Sequence, residues 1–205
     1  LAGTRYNPSR YRDTPLSALL PVVVDRAAEA DDPLLDPAEG FSIRVTADGA
    51  ASPLMDIAGD PEQSRRLWET TDDWRQYWAY PALRAKALAR VLAVSSDPRH
   101  ENRFGPRPLI ASMLYGRGRV LYVGVDDLWR LRREADDRFF YRFYGEAVRF
   151  LATYKLLGGN KRVKILTDRD GYALDDAVTV TLYVDDRDFK PSGDPSQTIQ
   201  IDMPG

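Results

Sequence analysis

Apolar positions along the chain keep a mixed periodicity up to about residue 160 and a strand-like one after it. Pro21-Val22-Val23-Val24 is a short β-branched run that predicts a strand, entered through Thr14-Pro15-Leu16, where a hydroxyl residue before Pro marks a helical turn. Asp25 to Gly40 is an acidic, Pro-containing stretch expected as a loop. Phe41 to Thr46 alternates apolar and polar residues as a strand does, with turn chemistry in Ala47-Asp48-Gly49. Asp60-Pro61-Glu62-Gln63 is a helix start, because Asp caps free amides and Pro fits the first turn, and it predicts a helix to Thr70. Arg90 to Ser95 predicts a strand. Pro108 to Tyr115 and Arg119 to Val125 predict a hairpin closed by Gly116-Arg117-Gly118. Phe140, Phe143, Tyr144, Ala147, Val148, Leu151 and Tyr154 recur at three and four residues, the spacing of one buried helix face, with Asp137 as cap and Gly158-Gly159-Asn160 as terminator.

Beyond that glycine pair the predicted elements are strands: Arg162 to Thr167, Ala177 to Val184, and a third from Thr198 to Ile201. The change of period places a domain boundary at 158 to 162, between an α/β domain over 1–158 and a partial immunoglobulin-like β segment over 162–205. A start at Leu and a stop at Pro204-Gly205 within a strand-rich pattern lead us to expect a piece of a longer polypeptide.

Composition narrows the function classes. With 205 residues, 43% hydrophobic and 29% charged, the chain has material for one ordinary core and a small appendage. A net charge of -2 gives no basic face on the scale of a nucleic-acid binder, so no nucleic-acid partner is expected. No run approaches the roughly 18 apolar residues of a membrane span. Cysteine is absent and His100 is the sole histidine, which removes thiolate sites, Cys-His pairs and two-histidine metal sites. No cofactor and no metal are expected.

The run Tyr115-Gly116-Arg117-Gly118-Arg119-Val120-Leu121-Tyr122-Val123-Gly124-Val125-Asp126-Asp127-Leu128-Trp129-Arg130, with Thr14-Pro15-Leu16 and Leu20-Pro21-Val22 before it, resembles bacterial glutamine amidotransferase-like domains. Asp137 to Leu151 resembles their closing helix, and the likeness spans about residues 10 to 155. The resemblance implies the later half of a flavodoxin-like (class I glutamine amidotransferase-like) domain, in a large protein of the kind that carries membrane segments and β-sandwich modules nearby. It therefore implies the soluble part of a membrane-anchored or envelope protein, with other domains of the same polypeptide as partners. A sheet edge left open by the absent earlier strands would favour self-association. Class I amidotransferases use a Cys on a strand-to-helix elbow, with His and Glu in a Gly-x-Gln-Phe-His-Pro-Glu type motif after a later strand. Here the corresponding strand end reads Val123-Gly124-Val125-Asp126-Asp127-Leu128-Trp129, so the resemblance implies a scaffold without catalytic residues.

Candidate chemistry lies at that same strand end. Asp126, Asp127, Trp129 and Arg130 follow the carboxyl end of a core strand, where open α/β sheets bind ligands, and an acidic pair beside an aromatic face suits a sugar or a cation. Set against this are structural roles: Asp127 as a helix cap, Trp129 packed on the closing helix. His100, in a polar segment without an evident partner, is expected in solvent. Trp68, Trp74, Tyr77, Trp78 and Tyr80 are expected mostly in the core, and Arg130, Arg132, Arg133, Arg138, Arg142 and Arg149 in local ion pairs. Residues 168–205 hold nine aspartates against one lysine and two arginines. Of these Asp168, Asp170, Asp185, Asp186 and Asp188 could converge as oxygen ligands for calcium, but their spacing fits no EF-hand loop, and turn and solubility roles are preferred.

Overall fold

The computed structural model describes residues 2, 8–30, 40–116, 118–133, 137–156, 163–167, 178 and 180–184. The chain divides into two compact units, Leu1–Leu156 and Leu157–Gly205. In the first, β1 (Val22–Val23), α1 (Arg26–Ala30), β2 (Ile43–Val45), α2 (Ala47–Ala50), α3 (Pro61–Thr70), β3 (Arg84–Ala85), β4 (Arg90–Ser95), β5 (Glu101–Asn102), β6 (Gly105–Pro106), β7 (Pro108–Tyr115), β8 (Gly118–Val123) and α4 (Arg138–Leu156) follow in order. The second contains an antiparallel pair, β9 (Val163–Thr167) and β10 (Val180–Val184), with Val163 opposite Val184.

The fold thus combines helices with sheets, and every strand pairing among the described residues is antiparallel. The main sheet runs β2-β4-β7-β8. Its β7–β8 hairpin has Ile110 opposite Val123 and Tyr115 opposite Gly118, with Gly116 at φ +55° in the left-handed region that a tight connection needs. β7 is buried over six consecutive residues, Pro108 to Met113, because both sheet faces are covered. One cluster joins Ile43, Leu92, Leu109, Ile110 and Val123 to Trp68, Trp74, Phe139 and Phe143; a second joins Ala111 and Tyr122 to Val22, Tyr80 and Ala82. β2 and β8 form the sheet's edges, and the Ala2 amide donates to the Val123 carbonyl at 2.7 Å.

α3 begins as expected: Asp60 Oδ1 accepts from the Gln63 amide at 2.7 Å and Pro61 opens the first turn. Its Ser64 and Trp68, four apart, face inward. Three expectations need correction. Asp25 to Gly40 is not all loop, since Asp25 Oδ1 caps the Ala27 amide and α1 follows. Ala47-Asp48-Gly49, expected as a turn, closes into the single helical turn of α2, because Thr46 Oγ1 accepts from the Gly49 amide at 3.0 Å. Asp137 stands at the cap position, its carbonyl accepting from the Tyr141 amide at 3.0 Å, but at φ +64° its two carboxylate oxygens grip Arg132 at 3.0 Å, so the side chain serves an ion pair instead of the helix amides.

The buried face of α4 also differs from the predicted one. Phe139, Phe143, Ala147 and Phe150 are inside, Phe140 and Tyr144 pack partly, and Val148 and Leu151 are exposed. Both exposed residues border a groove of about 240 Å³ that runs along Leu121 and Val123 of the β8 edge. Their apolar spacing matches a helix face, but no described strand lies beyond β8 to cover them. The arginines pair largely as expected: Arg130 with Asp127, Arg132 with Asp137, Arg142 with Asp56, Arg149 with Glu146. The expected strand at Thr198 to Ile201, the terminator Gly158-Gly159-Asn160 and the aspartates at 168, 170, 185, 186 and 188 lie outside the described residues.

Candidate functional site

β8 delivers the candidate residues. Its continuation is held from two sides, by the Gly124 amide on the Leu109 carbonyl and by the Tyr80 amide on the Gly124 carbonyl, after which Val125 bridges Ala79. Asp127–Arg132 then forms a 3₁₀ turn. With three residues per turn, Leu128 and Leu131 share one face and are both buried, which sends Trp129 and Arg130 outward.

The four predicted residues therefore meet, in roles partly different from those expected. Asp127 does not cap its own helical turn. Its Oδ2 accepts from the Tyr77 amide at 2.9 Å and its Oδ1 from Arg130 Nε at 3.4 Å. Trp129 keeps 47% exposure and is not a core residue. The Arg130 guanidinium lies over both the Tyr77 ring, at 4.6 Å, and the Trp129 ring, at 4.8 Å, while Arg133 approaches Trp129 at 5.1 Å. Asp126 is exposed, and partial desolvation of its carboxyl, followed by the charge of Asp127, raises its pKa above the ordinary value. Of the aromatic cluster, Trp68, Trp74 and Tyr80 are buried, and Tyr77 and Trp78 are partly so.

A second constellation lies in the segment read as a solvated loop. His100 is 2% exposed, not in solvent: its ring meets Phe41 edge-on at 4.9 Å, and its Nδ1 is 2.7 Å from Ser95 Oγ. Burial first, then the charge of Arg107, depresses its pKa to about 4, with Asp97 opposing. The imidazole is therefore neutral at pH 7. Beside it is a cavity of about 600 Å³ lined by Arg99, Asn102, Arg103 and Arg107 opposite Pro81 to Leu83. Sequence reading missed this cavity, although its signal was visible in arginines recurring every fourth residue from 99 to 107.

The histidine gives a direct prediction. The unfolded ring takes its proton near pH 6.5 and the folded one near 4, so the unfolded chain binds more protons between those values. The histidine's contribution to stability is complete above about pH 6.5 and is lost as pH falls toward 4. We expect the single imidazole resonance to titrate below pH 5 and the urea midpoint to decline across that window. Titration at pH 6 to 7 would refute the burial.

Among the described residues no three His, Asp or Glu side chains gather as metal ligands, and no helix is long and apolar enough to cross a membrane. No family model matches the chain, and neither does any curated protein or solved structure.

Proposed function

We propose that the chain is a non-catalytic structural and interaction module of a larger, envelope-associated multidomain protein, resting on a glutamine amidotransferase-like, flavodoxin-like scaffold. The observation that carries this reading is how the side chains past β8 are employed. Asp127 and Arg130 are occupied by the Tyr77 amide, by each other and by the Tyr77 and Trp129 rings, and the Trp129 ring keeps its remaining surface exposed. Trp, Tyr and Arg are the residues that contribute most when a protein partner excludes water from them. On this reading β2, β4, β7 and β8 are the outer, antiparallel part of a flavodoxin-like sheet. The partners are other domains of the same polypeptide or a second copy.

The test uses the full-length protein with a photo-crosslinking residue at position 129. Crosslinks to another domain or a second copy are expected, together with no glutamine hydrolysis. Cysteine-dependent glutamine turnover would overturn the reading, as would a residue 129 that captures nothing.

A sugar-binding reading is favoured by one observation, the exposed Trp129 ring next to the exposed Asp126 carboxyl. Against it, two guanidiniums already lie over that ring. Saturable thermal stabilisation by one sugar class, abolished by Asp126→Ala with the fold retained, would favour the sugar.

A further inference from the structure

The connection between β4 and β7 carries chemistry that the end of β8 does not use. A 3₁₀ turn at Pro98–His100 and the β5–β6 hairpin fold Arg99, His100, Asn102, Arg103 and Arg107 onto one cavity. At about 600 Å³ it falls within the roughly 300–1,000 Å³ of small-molecule sites. Its lining sets three guanidiniums against the carboxylates of Asp25 and Glu101. At the hairpin tip Phe104 is exposed, with the guanidiniums of Arg103 and Arg84 over its ring at 4.8 and 5.4 Å.

One lining residue has unused hydrogen-bonding capacity. His100 Nε2 is buried with no partner, a condition that native proteins seldom leave without a reason. Its proton can be placed. Ser95 Oγ accepts from the Asp97 amide at 3.1 Å, and Nδ1, at 2.7 Å, is the acceptor within reach of its own buried hydroxyl proton; the tautomer that satisfies this hydroxyl carries the ring proton on Nε2. Nε2 is thus an unpaired N–H donor on a residue that lines a cavity carrying several cations.

We propose that this cavity binds a small phosphate-bearing molecule, with the phosphate received by His100 Nε2–H and the Arg103 guanidinium and the organic part set against Pro81, Ala82 and Leu83. Arg99 is already held by both oxygens of Asp97 and Arg107 donates to the Ala79 carbonyl, so the Arg103 guanidinium is the one assigned to the ligand, and its fork of N–H donors suits an ion with three acceptor oxygens better than a carboxylate with two. Nε2 is closed to solvent in this structure, so the phosphate engages it by parting the lining.

His100 is the chain's sole histidine, so its imidazole signals are a clean probe. The 205-residue chain is titrated at pH 7 with inorganic phosphate, and with acetate and chloride at matched ionic strength, while the His100 ring resonances are followed. A saturable shift with phosphate alone is expected, weakened about tenfold or more in Arg103→Gln and partly restored in Arg103→Lys. Arg103 is exposed, so an unchanged melting temperature should accompany both variants. The proposal is overturned by no saturable shift, by an equal response to acetate or chloride, or by an Arg103→Gln response identical to the native one.

Discussion

Replacing Gly49 with alanine is expected to destabilise the first unit by about 3 kcal/mol, although alanine is the better helix former by about 1 kcal/mol. A Cβ on Gly49 would lie 2.0 Å from the Leu92 carbonyl oxygen and 2.9 Å from Val45 Cγ1. That carbonyl accepts from the Thr46 amide at 3.1 Å, and Thr46 Oγ1 donates to the neighbouring Val91 carbonyl at 2.6 Å, so moving the Leu92 carbonyl disturbs the contact that seats α2 on β4. Gly145 provides the control. It lies in α4 with nothing within 4 Å of its Cβ position, and Gly145→Ala should raise stability by up to about 1 kcal/mol. Urea midpoints at constant m-value measure both changes. A Gly49→Ala chain as stable as the native one would show that α2 does not approach β4 so closely.

Trp68→Ala is expected to cost about 4 kcal/mol and Trp129→Ala less than about 1 kcal/mol, a contrast set by burial and by the hydrogen bond that burial protects. Trp68 is 2% exposed, donates from Nε1 to the Met55 carbonyl at 3.0 Å, and meets Trp74 and Phe143 edge-on at 6.1 and 5.8 Å. Its removal leaves a cavity at the junction of α3, α4 and the sheet and strands a buried carbonyl. Trp129 leaves neither. Far-UV circular dichroism of the two variants in urea measures the contrast independently of tryptophan fluorescence. Equal losses would show that the ring past β8 is part of the core.

Local chemistry was readable where neighbours in sequence decide the outcome. Asp60-Pro61 starts α3 because a carboxylate three residues from the Gln63 amide can reach it whatever else the chain does. The glycines around Arg117 announce the β7–β8 hairpin for a similar reason, since Gly116 supplies its positive φ. The same locality misled at Asp137, where a good capping residue was taken by Arg132, and at Ala47-Asp48-Gly49, where turn chemistry and a capped helical turn share the same residues.

Which side chains face inward on α4, whether Trp129 is covered and where His100 lies were decided by tertiary structure. The period of α4 permits a stripe through Val148 and Leu151, yet burial follows what the sheet offers, and β8 is its last described strand. Trp129 is outside because the 3₁₀ turn gives its inner face to Leu128 and Leu131, a spacing that a reading in α-helical period does not reveal. His100 is inside because Ser95, at the end of β4, and Phe41, from before β2, converge on it from distant parts of the chain. By itself the sequence determined the capped start of α3, the β7–β8 hairpin and the absence of thiol chemistry, all properties of residues a few positions apart or of composition. Burial depends on which distant segments pack over a position, and only the tertiary structure decided that.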